Sequence, residues 1–313
     1  MPPGKPFTAF CMVRSRELKY RQQGTPYLVL ELGDRSGRLK ARIWDKPLAL
    51  YETAREGDTV KIRAIVQVFQ GRKELKVLNL RPSGPEDPVS AEALLPVSGK
   101  DLEAYRERLE SHIASLTNPF LVELLRQFLG EAALAQAYLR SPSGKLWHHN
   151  YVGGVLEHVV VMLELGGLLQ RFYPAIDLDL LKAGIVLHHA GKVREYSLDG
   201  FIEFSDAGRL LGYRAMGYEW VAGLIGRIRG FPGELRNRLL HLLVIHPTVE
   251  AGQRPAVQPM TLEAVVLSHL IMLDANANAI CRIIEDDVLP GVRWSKYIPL
   301  LDRFIYAGEA RKP

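Results

Sequence analysis

Cysteine is nearly absent from this chain, and long apolar runs are absent altogether. Two cysteines in 313 residues, Cys11 and Cys281, stand too far apart to suggest a disulfide framework, and no Cys-x-x-Cys pair offers a thiolate metal site. Buried free thiols in a reducing compartment are expected. No run of 18 apolar residues occurs, so no membrane-spanning helix and no membrane partner are expected. Met1 to Val13 lacks a long apolar core behind a charged start, so the expected location is cytoplasmic. Repeats and low-complexity tracts are missing too. What remains is 47% hydrophobic, enough in a chain of this length to bury two cores.

Charge is scarce in sum but uneven in place. The net charge is +5, yet residues 1–82 hold 17 Lys and Arg against 8 Asp and Glu. The first 82 residues are therefore +9 and the remainder −4. A small basic domain beside a mildly acidic larger one implies a polyanionic partner for the small one.

From Phe7 to Leu80 the hydrophobic period is two, broken by turn residues. Tyr27 to Leu32 runs into the turn Gly33-Asp34-Arg35-Ser36-Gly37, and the chain resumes as Arg38-Leu39-Lys40-Ala41-Arg42-Ile43-Trp44. Leu39, Ala41 and Ile43 are expected on one face, with Arg38, Lys40, Arg42 and Trp44 on the other. A short helix over Lys46 to Arg55, a strand over Thr59 to Phe69, a turn and a last strand over Glu74 to Leu80 complete the set. Five strands with a helix between the third and fourth follow the order of an OB-fold barrel. The strand–turn–strand 32–44 resembles the tRNA-anticodon-binding type. Arg38, Lys40 and Arg42, the ring of Trp44, and Arg72, Lys73 and Lys76 near the last hairpin are the candidate contacts to single-stranded RNA or DNA. Phosphates need the cations and unstacked bases need the ring.

Breakers crowd residues 83–99, the expected linker, with Pro85, Pro88 and Pro96 among them. Beyond it, over 100–313, the period turns helical. Helices are expected over Lys100 to Ser115, Pro119 to Leu129, Glu131 to Leu139, Tyr151 to Phe172, Asp179 to His188, Glu219 to Arg229, Gly233 to His246 and Thr261 to Glu285. The fold class is thus α+β multidomain, a five-stranded barrel followed by an all-α bundle.

Two motifs in the bundle carry chemistry. Leu187-His188-His189-Ala190-Gly191-Lys192 resembles the His-Asp motif of HD-superfamily phosphohydrolases, with His189 where the acid stands. The run 146–158, Leu-Trp-His-His-Asn-Tyr-Val-Gly-Gly-Val-Leu-Glu-His, resembles a segment of the YhaM-like family. Tyr173-Pro174, Asp206 to Gly212 and Leu262-Glu263-Ala264 resemble it too, so the likeness spans nearly the whole chain. It implies an OB-fold joined to an HD domain and 3′-to-5′ exoribonuclease activity. It also implies metal ligation by His158 and His188, a phosphate-facing Lys192, and His148 and His149 near substrate phosphate.

The departures fall on the metal site. Besides His189, Tyr213 stands at an expected His, His246 is followed by Pro247 rather than a second His, and Ser268 and Ile271 replace the closing His and Asp. Asp274 remains. Two dications about 3.5–4 Å apart need carboxylates to offset their repulsion. With the acids at 189 and 271 gone, a two-metal site is not expected. Two cases stand: no metal, or one divalent ion (manganese, zinc, nickel or iron) on His158, His188 and His246, with His189 as a further ligand or a catalytic group. Glu157 is expected to point away from the site, since neighbouring helical positions diverge by about 100°. The reading is a single-strand-binding protein with a degenerate phosphodiesterase domain. The alternatives are a one-metal 3′-to-5′ exoribonuclease and a protein-interaction scaffold; homo-oligomers are compatible with all three.

Overall fold

Alternating apolar residues along five strands close the first part of the chain into a barrel, in the computed structural model described over residues 4–22, 24–69, 72–90, 92–145, 147–198, 201–245, 257–288 and 291–308. The strands are β1 (Pro6–Tyr20), β2 (Pro26–Asp34), β3 (Gly37–Ile43), β4 (Thr59–Phe69) and β5 (Arg72–Pro82), with helix α1 (Pro47–Thr53) between β3 and β4. The order around the barrel is β1-β2-β3-β5-β4, antiparallel except for β3 beside β5. Leu28, Leu30 and Leu32, then Ala41 and Ile43, then Val60, Ile62, Ala64 and Val66 point inward, as a period of two requires. Bulges at Arg14, between Val13 and Ser15, and at Leu78, opposite Arg63 and Ala64, bend β1 and β5. The turn from β2 to β3 is held by Asp34, whose Oδ1 accepts from the Ser36 backbone N–H at 2.8 Å.

The helical region holds α2 (Leu102–Ala114), α3 (Pro119–Gly130), α4 (Ala132–Arg140), α5 (Gly154–Gln170), α6 (Leu178–Leu187), the single turn α7 (Lys192–Glu195), α8 (Asp206–Arg227), α9 (Gly233–Val244) and α10 (Leu262–Arg282). Side chains cap several of these helices, though α4, α5, α7 and α9 have no side-chain cap. Asn118, Asp177, Ser205 and Thr261 each accept from a backbone N–H in the first turn of the helix that follows. Helix α6 is buried from Leu180 to Leu187, and α5 from Gly154 to Val160, so both are core helices. The expectation of purely α structure misses a small two-stranded sheet, β6 (Tyr196–Ser197) and β7 (Glu203–Phe204). Helix α8 starts at Asp206, well before the expected Glu219, and is kinked at Gly212, where φ is 71°.

The chain divides into two compact units, one of Met1–Val97 with Ser197–Glu203, the other of Ser98–Tyr196 with Phe204–Pro313. One described helix, Leu262–Glu285, is long and apolar enough to cross a membrane. It carries buried Glu263, Ser268 and Asp274, and Asp274 bonds to side chains of the bundle, which identifies a core helix.

Candidate metal centre and nucleic-acid interface

The loop before α5 brings two histidines against the helix it precedes. Gly153, at φ 84°, turns the chain, and a Cβ on Gly154 would lie 2.0 Å from the carbonyl oxygen of His149. Only glycine at 154 lets the loop fold back so closely. His149 itself is left-handed, at φ 43°, and its backbone N–H donates to Asn278 Oδ1 at 2.9 Å. His158 lies one turn into α5, His188 caps the C-terminus of α6, and His189 follows it. Asp274 reaches in from α10.

Five imidazoles meet there. The His158 ring lies 5.3 Å from His148, 5.3 Å from His149, 5.5 Å from His188 and 5.1 Å from His189, centre to centre. His188 and His189 stack at 3.9 Å. The hydrogen bonds settle which nitrogens carry protons. Asp274 Oδ2 accepts from His158 Nδ1 at 2.5 Å and from His149 Nε2 at 2.7 Å. The carbonyl oxygen of Ile185 accepts from His188 Nδ1 at 2.6 Å. A nitrogen that faces a carboxylate or carbonyl must be the protonated one, so Nε2 of His158 and of His188 are lone pairs when the rings are neutral. Both are buried and have no hydrogen-bond partner, as is Nδ1 of His148. His189 Nδ1 lies 3.3 Å from Ser143 Oγ.

Burial favours the neutral form of His148, His158, His188 and His189. It pushes His188 and His189 well below the usual imidazole value, with the neighbouring histidines acting in the same direction. His148 falls to about 2 for the same reasons, and His158 is lowered by burial against the pull of Asp274. For Asp274, burial pushes the carboxyl up, but the bonds from His149 and His158 outweigh it and hold it below the usual carboxylate range. The arrangement could hold a metal ion: ring nitrogens of His158 and His188 have no partner, while the other nitrogen of each ring is held by an oxygen. One ligand atom each from His158, His188 and His189 lies within 4.8 Å of the others, and the same holds for His148, His149 and His158. Either trio could hold a metal ion through imidazole nitrogens.

Several expectations need correction. A carboxylate does stand beside the histidines: Asp274 touches His158, although both its contacts go to ring nitrogens. Glu157 does not point away to solvent; it is buried, and its Oε2 accepts from Ser98 Oγ at 2.6 Å and from Tyr151 O–H at 3.1 Å. His149 is 1% exposed, with Nε2 on Asp274 and Nδ1 3.0 Å from the Tyr151 hydroxyl, so both ring nitrogens are engaged rather than open to a phosphate. Lys192 is buried and donates to Glu195 Oε2 at 2.5 Å, with its ammonium 3.8 Å from the centre of the Tyr213 ring. Burial lowers its pKa to about 8, against the opposing charge of Glu195. His246 lies outside the described residues. Glu195, three positions from Lys192 on one helical turn, was readable as its partner; Asp274 is singled out by the resemblance, but its contact with His158, more than a hundred residues away, was not readable.

On the barrel, Arg38 and Lys40 are exposed and Arg42 is half-buried, while Leu39, Ala41 and Ile43 face in as expected. Two of the cations are tied to acids: Arg38 to Glu31 at 3.2 Å and Arg42 to Glu74 at 3.0 Å. Trp44 is 47% exposed and stacks on Tyr27 with ring centres 4.5 Å apart, and the Arg21 guanidinium lies 4.1 Å from its ring centre. Tyr27 and Arg21 were missed, though pairing of Leu28 with Ile43 places Tyr27 opposite Trp44. Lys73 and Lys76 are exposed on β5, and Arg42 pairs with Lys76 in register. Arg72 opens β5, and its side chain lies outside the description.

The profile of an OB-fold nucleic acid binding domain matches residues 12–83. The 3′-5′ exoribonuclease YhaM of Oceanobacillus iheyensis is 30% identical over 303 residues, which cover 97% of this chain and 94% of that protein. Its namesake in Bacillus subtilis is 28% identical, over 97% and 95%. Among solved structures, the second OB-fold domain of replication protein A from Methanococcus maripaludis matches 28% of this chain and 91% of its own, at 19% identity and a TM-score of 0.22.

Proposed function

The chain belongs to the YhaM family of 3′-5′ exoribonucleases, and from that premise we propose that it binds single-stranded nucleic acid on its barrel and one divalent ion in its helical region, with hydrolysis lost or much slowed. The observation that carries the reading is the trio of buried, unpartnered ring nitrogens, His158 Nε2, His188 Nε2 and His148 Nδ1. Buried polar atoms without partners are rare in folded proteins, and three in one cluster call for a common ligand. His158, His188 and His189, whose ligand atoms lie within 4.8 Å of one another, would hold the ion. An ion held there would supply Lewis-acid chemistry to a phosphoryl group and a bound water.

The chain's own residues set the limits of that chemistry. Asp274 fixes the His158 ring, and the Ile185 carbonyl fixes His188. No carboxylate among the described residues contacts His188 or His189, so nothing anionic stands there to bridge a second ion or take a proton from water. Lys192 would have to exchange Glu195 for a phosphate before it could steady transferred charge. The competing reading, a working exoribonuclease, draws on the printed activity of the relatives and on the retained His158, His188 and Lys192.

The test is 5′-end-labelled single-stranded RNA incubated with the protein and Mn²⁺, Mg²⁺ or Zn²⁺, beside the His188→Ala variant, on a denaturing gel. Intact RNA under all three ions, with retained binding, is expected. A ladder shortening from the 3′ end that His188→Ala abolishes overturns the loss of hydrolysis and establishes the enzyme.

A further inference from the structure

Near the end of the described chain, residues 292–306 double back as an irregular hairpin. Trp294 pairs with Tyr306 and Ile298 with Arg303. The arms are joined by Ser295 N–H to the Ile305 carbonyl at 2.8 Å and by Ile298 N–H to the Arg303 carbonyl at 2.9 Å. Ser295 and Ile305 are the residues it buries. The large side chains point the other way: Trp294 is 54% exposed, Tyr306 52%, Phe304 57% and Tyr297 46%. They form two ring pairs, Trp294 with Tyr306 at 4.8 Å and Tyr297 with Phe304 at 5.4 Å.

Four exposed rings on one short hairpin are costly in water and serve no core. A protein or lipid partner would suit the rings alone, but the cations between them argue otherwise. Lys296 sits between Trp294 and Tyr297, Arg303 precedes Phe304, and both are exposed; Asp302 is the one acid within 292–306, and it is engaged by the Tyr297 hydroxyl. Protein-interface cores are depleted in lysine. Rings interleaved with cations match a strand whose bases stack and whose phosphates are anionic.

We propose that the hairpin 292–306 is a second contact for single-stranded nucleic acid, with Trp294, Tyr306, Tyr297 and Phe304 as stacking surfaces and Lys296 and Arg303 as phosphate contacts. It extends the reading that this chain binds single strands, and adds a binding element in the helical unit to the one on the barrel.

The full chain is titrated into a fluorescein-labelled 20-nucleotide oligo(U) and followed by anisotropy. Trp294→Ala with Tyr306→Ala is expected to weaken binding about tenfold, as the loss of one or two stacked bases does. Trp294→Phe, which keeps a ring, stays within about twofold of the parent. Lys296→Ala lowers the slope of log affinity against log salt by about 0.7. Ultraviolet cross-linking of the unmutated protein to the same oligonucleotide yields adducts on peptides within 292–306, a readout that holds even if the double variant does not fold. The proposal is overturned if the parent binds, Trp44→Ala weakens it, and the hairpin variants bind as the parent does without such adducts. It is equally overturned if the variants convert a dimer to a monomer at unchanged affinity, which makes a second copy the occupant. No binding by the parent at all overturns the barrel reading itself, and this one with it.

Discussion

At the scale of single residues, the five-imidazole cluster makes its own pH signature. His158, His188 and His189 are buried, and their folded-state pKa values lie below the ordinary 6.5. Above pH 6.5 these rings are neutral folded or unfolded, so stability does not change with pH on their account. Below it the unfolded chain takes up protons that the folded one refuses, and each ring costs up to about 1.4 kcal/mol per pH unit. Asp274, whose pKa is depressed, stays ionised in both states above about pH 4 and adds no slope in this window. On their account metal-free protein should therefore lose stability steeply from pH 6.5 to 5, as measured by urea unfolding in a chelator, whereas from pH 8 to 7 only a shallow loss is expected, from Lys192 with its pKa of about 8. Stability held constant down to pH 5 would mean that the cluster accepts protons while folded. The ion itself gives the second test at this scale. One equivalent of zinc or manganese per chain is expected by elemental analysis, and Asp274→Asn should weaken it about 10- to 100-fold while leaving the ligands in place.

At the scale of elements, the sequence is most legible where a pattern repeats and least where distant segments meet. The strand β4 has the bounds its alternation predicts, and α3, α9 and α10 lie within two residues of theirs at most ends, because apolar spacing and capping residues act locally. The first half of α8 escaped because Gly208 and Gly212 interrupt its pattern, yet both serve the packing. A Cβ on Gly208 would lie 2.2 Å from the Glu195 carbonyl oxygen, and Gly212 supplies the kink. The same contact logic makes an element-scale prediction. A Cβ on Gly191 would lie 1.9 Å from the Tyr213 carbonyl oxygen, wedging α7 from α8 and shifting His189 and Lys192 with it. Gly191→Ala should cost about 2–4 kcal/mol. Gly223, on the same α8 but exposed with nothing near its would-be Cβ, should gain about 0.5–1 kcal/mol on the same change. Thermal melting separates them, at about 2–4 °C per kcal/mol in a domain of this size; equal shifts would count against close packing at Gly191.

At the scale of the whole molecule, charge and chemistry fall in different stretches of the chain. The excess of basic residues lies in the first 82, while the histidines of the metal cluster and Asp274 all lie between 148 and 274. This asymmetry was legible from composition, whereas the meeting of His158 with Asp274 was not, since it depends on how α5 and α10 pack. If the barrel carries strand affinity, binding should follow salt and ignore the metal. Lys40, Lys73 and Lys76 are exposed, and Arg38 is exposed although paired with Glu31. With about four phosphate contacts at a slope near −0.7 each, raising salt from 50 to 200 mM should weaken oligonucleotide binding about 50-fold. Lys40→Ala should flatten the slope by one contact, and Trp44→Ala should weaken binding at every salt concentration without changing it, because stacking releases no counterions. Chelation should leave all three curves where they were. A curve that is flat in salt, or one that collapses on chelation, would place the strand on the metal cluster instead of the barrel, and the histidines rather than the lysines would then be the residues that hold it.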